Sequence, residues 1–310
     1  IGTKDRYATE IGKAVLDNGG NAIDAAVASC LAIGVVEPTS SGIGGGGYLN
    51  FQVGDKGGVI GFPMKGPLSG NPDMYELSGE PSVGSFGWAG VKNDENIHGY
   101  KSIAVPGCVA GLLEAHKRFG KIPLSEVVAP AVKLARKGFF PEWFTLYKFA
   151  SLTEMLLRYK ELGKTFMPNG ALPFGGIDGP YTLKQPDLAN TLEEIGKNGI
   201  DAFYRSDITE NIVKDINQNG GILTMEDFDL YKPFYWENGL EFKYRDKTIR
   251  VPKYACAGIT SAMTLKTLDR FNLSEVAHNS TEMLHLYISA ARLAYADRFK
   301  YVADPDYADV

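Results

Sequence analysis

Cysteine is scarce in this chain: three in 310 residues, at Cys30, Cys108 and Cys256. So small and odd a count excludes a framework of intrachain disulfides. Their settings, an apolar run around Cys30, Gly107 before Cys108 and alanines on both sides of Cys256, predict buried, inert thiols. The count allows a reducing compartment without requiring one. Histidine is nearly as rare: His98, His116, His278 and His285 stand singly. Neither His116 nor His285 has a second ligand one helical turn on, so no zinc site is expected and hydrogen-bonded or surface histidines are. No apolar run approaches the ~20 residues that span a bilayer. Positive charge is not in excess either, and a net charge of −5 gives no footprint for nucleic acid. The first residues, IGTKDRYATEIG, hold no apolar h-region, so any leader is expected to have been removed or never present.

What remains is ordinary in bulk. A hydrophobic fraction of 44% and a charged fraction of 22% are those of a soluble globular protein, with length enough for one large domain or two smaller ones. The improbable stretch is NGGNAIDAAVASCLAIGVVEPTSSGIGGGGYLNFQV, from Asn18 to Val53. Ala8 to Leu16 has helical apolar spacing, stopped by Gly19 and Gly20. Asn21 is placed to cap a second helix, with Asp24 three residues on. Ala22 to Val36 is apolar nearly all round, which predicts burial. Pro38 ends that helix. Gly44 to Gly47 are expected to take backbone conformations that side chains forbid. A strand over Tyr48–Val53, a turn at Asp55–Gly58 and a return strand over Val59–Phe62 follow.

Residues 66–102 read as long loop with one or two irregular strands. Helices are expected from Cys108 to Phe119, Pro123 to Lys137, across the aromatic-rich Phe139–Tyr159, and over Thr191–Lys197 and Ile208–Asn217. Thr224 opens a short helix with Asp227 as its capping-box partner. Leu240–Tyr244 and Thr248–Val251 pair as a hairpin, and helices cover Ile259–Leu268 and Thr281–Tyr301. Helices outnumber strands, and strands come as hairpins. That predicts an α+β protein with helix layers on an antiparallel sheet, not a doubly wound parallel one.

The glycine run first suggests a phosphate cradle. Such a loop needs its glycines after a strand and before a helix, whereas here the helix comes first and no Gly-Lys-Ser or Gly-Lys-Thr follows. No Gly-x-Ser-x-Gly elbow is present. Asp297, Arg298, Asp304 and Asp306 could bind a cation, but a capped, ion-paired helix end is the simpler reading. On its residues alone the chain shows no nucleophile beside a base.

The order of motifs resembles the gamma-glutamyltransferase (gamma-glutamyltranspeptidase) family. GGNAIDAAVA (19–28) and GVVEPTSSGIGGGG (34–47) are similar to its most recognisable segment. AVPGCVAGLLEAHKRFGKIPLSEVVAPAVKLARKGF (104–139), QPDLANTLEEIGKNGIDAFY (185–204), GGILTMEDFDLY (220–231) and LHLYISAARLAYADRFKYVADPDYADV (284–310) continue the similarity. The resemblance implies an N-terminal nucleophile hydrolase with a four-layer αββα sandwich, cut from one precursor into a large and a small subunit. Residues 1–310 would be the helix-rich large-subunit portion of a single domain that a separate small subunit completes. The catalytic residue would be that partner's N-terminal threonine, its own amine serving as base, so no catalytic residue is expected in this chain. The oxyanion-hole groups would lie there too. A dimer of such heterodimers is compatible with this. No metal or cofactor is implied. Family members are mostly extracytoplasmic, yet the compartment stays open.

One large-subunit contact is implied directly: an arginine in an Asp-Phe-Arg-Glu-like strand that holds the substrate α-carboxylate. The matching segment here is GFPMKGP (61–67). Pro63 stands at the arginine position, and Gly61 and Met64 replace the acidic residues. Proline offers no donor, and losing a charge-assisted contact costs on the order of 1.5–3 kcal/mol. Lys65, two residues on, would share a face with Pro63 if the strand persists and could restore a single point charge. The plain alternative is a solvated surface lysine. Pro252–Ile259 also departs from the family's proline run and Ser-Ser-Gly-Gly. The implied activity is hydrolysis or transfer of a γ-glutamyl amide such as glutathione, through an acyl-enzyme on the threonine. A glutaryl- or cephalosporin-acylase-like amidase and a non-catalytic binding or scaffold homologue are the alternatives.

Overall fold

The computed structural model describes residues 1–71, 73–82, 87–175, 179, 181–253, 256–304 and 308–309. Tyr254, Ala255, Asp306 and Val310, which belong to the motif and candidate cation segments of the sequence, lie outside the described residues.

The chain opens with α1 (Arg6–Asp17) and α2 (Ala22–Val36). It continues through β1 (Gly47–Val53), β2 (Lys56–Phe62), β3 (Leu77–Pro81) and β4 (Ala89–Val91). Next come α3 (Cys108–Phe119), α4 (Leu124–Lys137), α5 (Trp143–Ser151), α6 (Thr153–Arg158) and α7 (Lys160–Phe166). Within the aromatic-rich Phe139–Tyr159, expected to be helical, non-helical Leu152 divides α5 from α6, and Tyr159, also non-helical, separates α6 from α7. Then follow α8 (Pro186–Asn198), α9 (Asp201–Tyr204), α10 (Asp207–Gln218) and α11 (Met225–Asp229). The chain closes with β5 (Phe234–Glu237), β6 (Leu240–Tyr244), β7 (Lys247–Val251), α12 (Ala257–Leu268) and α13 (Thr281–Tyr301). The mixture is α+β, as the sequence predicts.

Two compact units divide these elements. The first joins Ile1–Gly47 to Phe62–Pro233. At its centre lies α2, against which α1, α3 and α4 pack, while α8 packs on α4. A complete capping box starts α2: Asn21 Oδ1 accepts from the Ile23 and Asp24 amides, and Asp24 Oδ2 accepts from the Asn21 amide at 2.8 Å. Asp24 is buried and also accepts from the Lys121 amide, so one carboxylate ties the start of α2 to the end of α3. Val27, Leu31, Val35 and Val36 are buried, each contributing about 1.5–3 kcal/mol of transfer free energy. Cys30 departs from expectation. It is exposed, and Cys108 and Cys256 are half-buried rather than fully so. Around α2 the burial is therefore broad without closing over every side. His116 is a half-buried, hydrogen-bonded histidine: its Nε2 lies 2.9 Å from the Ile122 carbonyl oxygen.

The second unit joins Tyr48–Gly61 to Phe234–Val310. Its sheet has the order β1-β2-β5, with β5 antiparallel to β2 from Gly58 opposite Glu237 to Gly61 opposite Phe234. The connection between β1 and β2 is Gly54-Asp55, one step earlier than the sequence predicted. Gly54 takes φ +59°, which glycine adopts without a Cβ penalty, so the strand restarts at Lys56 and its two following glycines lie inside β2. A hairpin of β6 and β7 and the packed pair α12 and α13 complete the unit. The altered segment before α12 keeps a helix start through Cys256, whose Sγ accepts from the Gly258 amide at 3.3 Å. Among the described residues Arg298 gives its guanidinium to the Cys256 carbonyl (2.9 Å) and Thr260 Oγ1 (3.0 Å), not to the acidic residues near it in sequence. No helix among the described residues is long and apolar enough to cross a membrane.

Candidate functional site

The four glycines do not take the conformation expected of them. None of Gly44 to Gly47 has positive φ, and the turn is part-exposed. What demands glycine is closeness. A Cβ on Gly46 would lie 2.6 Å from both the Met64 nitrogen and the Phe62 carbonyl oxygen. The Gly45 carbonyl accepts from the Gly107 and Cys108 amides, each at 2.9 Å, filling orphan donors at the start of α3. The turn thus packs its backbone against the segment that begins at Phe62, and one carbonyl fastens it to a helix.

That segment, Phe62–Leu68, has a built-in stop and three attachments. Proline cannot donate to a ladder, so β2 ends at Phe62. The Pro63 carbonyl accepts from the Tyr231 hydroxyl at 2.7 Å. Extended pairing resumes at Lys65, whose amide donates to the Val105 carbonyl (3.2 Å) and whose carbonyl accepts from the Val105 amide (2.7 Å). The Leu68 amide donates to Asp227 Oδ1 at 2.6 Å. Pro63 and Lys65 are half-buried, while Met64 is 54% exposed.

Behind the segment stands an aromatic pair. Tyr231 stacks on Tyr204, with ring centroids 5.6 Å apart and planes 16° apart. The Tyr204 hydroxyl donates to the Pro106 carbonyl at 2.7 Å and accepts from the Ala110 amide at 3.3 Å. Burial pushes the Tyr204 phenol well above its ordinary value, so it stays a neutral donor. Burial also pushes the Cys108 thiol up to about 12, which makes it a poor nucleophile despite its place at a helix start.

Chemically, Met64 presents an exposed thioether on this segment and Lys65 one ammonium, with no forked donor. The sequence singles out Pro63 and Lys65 and gives Asp227 a capping role alone; Tyr204, Tyr231 and the reach of Asp227 to Leu68 emerge only from the structure. A signal for Tyr231 is present in the sequence, because it follows the capping residue Asp227 by one helical turn.

The model of the Gamma-glutamyltranspeptidase family matches residues 8–310. A glutathione hydrolase proenzyme of Pseudomonas sp. (strain A14) is 31% identical across 98% of this chain and 51% of its own length. This chain spans about half the length of the curated relatives it matches. Among solved structures, Helicobacter pylori gamma-glutamyltranspeptidase superposes with a TM-score of 0.88 at 31% identity, covering 99% of this chain and 85% of that one. A cephalosporin acylase from Bacillus halodurans gives 0.83 at 25% identity, covering 98% of this chain and 54% of that one. The fold is that of the Ntn-hydrolase gamma-glutamyltranspeptidases. A family match running through nearly every element, including the glycine turn and the segment it packs against, places this chain in the gamma-glutamyltranspeptidase family.

Proposed function

We propose that this chain is the large-subunit part of an amidohydrolase or acyltransferase acting on γ-glutamyl amides such as glutathione. A small subunit from the same precursor completes the single catalytic domain and carries the nucleophile. The carrying observation is the similarity to glutathione hydrolase proenzymes across essentially the whole chain. A surface feature supports the missing partner: α13 exposes Leu284, Tyr287, Ile288, Leu293, Phe299 and Tyr301, an apolar load that water disfavours and the remaining precursor would cover.

The small subunit's N-terminal threonine attacks the amide carbonyl with its own amine as base. An amine leaves, and water resolves the ester in preference to an acceptor amine. This chain contributes the recognition of the acyl group. Lys65 takes the substrate carboxylate as a point charge, without the two parallel hydrogen bonds an arginine at position 63 would make. The contact that the family's arginine would make from position 63 is lost, because Pro63 has no donor.

The likeness to a cephalosporin acylase favours a second reading, an acyl group that keeps the one free carboxylate of a γ-glutamyl group but lacks its α-ammonium, as in a glutaryl amide. The test is the full-length precursor followed by denaturing electrophoresis and assayed on γ-glutamyl- and glutaryl-p-nitroanilide. Cleavage into two subunits with γ-glutamyl turnover is the expected result. Turnover of the glutaryl amide alone selects the second reading. An uncleaved precursor active on neither would refute both and leave a binding or scaffold protein.

A further inference from the structure

The motif GGILTMEDFDLY (220–231) has no role in the scheme above, yet two of its side chains reach the segment that scheme depends on. Asp227 is the N3 residue of α11, and its Oδ2 accepts from the Thr224 amide and hydroxyl, both at 2.7 Å. That completes the cap. Its other oxygen takes the Leu68 amide, 159 positions away in sequence. Tyr231, four residues after Asp227, donates to the Pro63 carbonyl across 168 positions. A turn of chain thereby grips both ends of Pro63–Leu68, while Val105 holds the middle at Lys65.

The grip matters because of the proline. Pro63 ends the ladder, and a buried or half-buried carbonyl left without a donor is costly. Tyr231 satisfies it and is itself held in place, stacked on buried Tyr204. Gly107 makes the room: a Cβ there would lie 2.2 Å from both the Tyr231 hydroxyl and the Phe62 carbonyl oxygen. With positions 63, 65 and 68 pinned, the Cα of Lys65 has one place from which its ammonium can reach.

Resting on the function proposed above, we infer that Tyr231 and Asp227 are positioning residues. They fix the backbone of Pro63–Leu68 and so set where Lys65 meets the substrate acyl group. Neither touches substrate. The point-charge contact of Lys65 has no fork geometry to correct a misplaced backbone, so substrate affinity depends on the clamp.

The experiment uses the processed full-length enzyme, with concentrations set by active-site titration. Tyr231→Phe is expected to raise KM about fivefold, the factor one neutral hydrogen bond is worth, with kcat within about twofold. Asp227→Asn is a second variant that exchanges the charge-assisted bond to the Leu68 amide for a weaker neutral one, and it is expected to raise KM in the same direction. In a Lys65→Ala background Tyr231→Phe should add little further, because both act on one contact. Amide hydrogen exchange over 63–68 should accelerate in both single variants. A residue that only stabilises the fold would lower the yield of titratable enzyme and leave KM where it was. Unchanged KM in an active Tyr231→Phe enzyme, or unchanged exchange over 63–68, overturns the inference and leaves the functional reading standing. A wild type that turns over neither amide overturns that reading, and the inference with it.

Discussion

Replacing Gly46 by alanine isolates the reason for the glycine turn. The new Cβ would meet the Met64 nitrogen and Phe62 oxygen at 2.6 Å and the Pro63 carbonyl carbon at 2.9 Å. All three are backbone atoms, so no rotamer change relieves the contact. Reaching 3.4 Å, where ordinary van der Waals contact begins, requires the turn and the 62–64 segment to part by about 0.8 Å. The Gly45 carbonyl, bonded to the start of α3, resists that movement from one side. Overpacking of this kind costs about 1–3 kcal/mol. At about 2.1 cal/mol/K per residue over 310 residues, and roughly twice that total in a full-length protein about twice as long, this corresponds to a fall in Tm of roughly 1–4 °C. Thermal unfolding of the full-length protein, followed by circular dichroism, measures it. Gly44→Ala is the control, since nothing lies within 4 Å of its Cβ position and its φ is not positive. Its Tm should match the wild type. Equal losses in the two variants would refute the close-approach argument and point back to the backbone conformation that glycine permits. The Gly46 variant should also bind substrate less well, because the displaced segment carries Lys65.

Lys65→Ala should raise KM for whichever amide is turned over, by roughly tenfold for a charged hydrogen bond of about 1.5 kcal/mol; an unchanged KM in steady-state assays would make Lys65 an ordinary surface lysine. Asp24→Asn turns an amide NH2 towards backbone donors at the α2 cap and should cost about 2–4 kcal/mol in denaturant unfolding, a loss of less than 1 kcal/mol counting against the cap. Alkaline pH should destabilise the fold through Cys108, whose thiol rises from an ordinary 9.0 to about 12 on folding. Above about pH 9 the unfolded chain releases this proton first, so stability is full below that pH and falls as pH rises towards 12. Cys108→Ala should therefore show a shallower loss between pH 9 and 11, and an identical slope would remove the thiol from the explanation.

Local chemistry made much of this architecture legible. Asn21 and Asp24 announce α2 because a cap is satisfied within three residues, and Thr224 with Asp227 announces α11 for the same reason. The α3 start at Cys108, the whole of α13 and the pairing of β6 with β7 also follow from caps, breakers and alternation over short windows. The motifs identify the family from sequence, and with it the expectation at Pro63 and Lys65. Elsewhere a distant backbone decides. β5 was invisible because Phe234–Glu237 is a strand only by virtue of β2, more than 170 positions earlier. The turn at Gly54 was misplaced because four nearby glycines and an aspartate offer several local turns, and the pairing of β1 with β2 selects one. Gly46 advertises conformational freedom in sequence, but its function is to admit the Phe62–Met64 backbone. Pro63 likewise reads as a loss until the Tyr231 hydroxyl is found beneath its carbonyl. Caps and periodicity reside in the free energy of a few neighbouring residues, so sequence alone determines them. Close approaches and long-range hydrogen bonds exist only after the chain has packed, and tertiary structure alone decided which residues hold Lys65 in place.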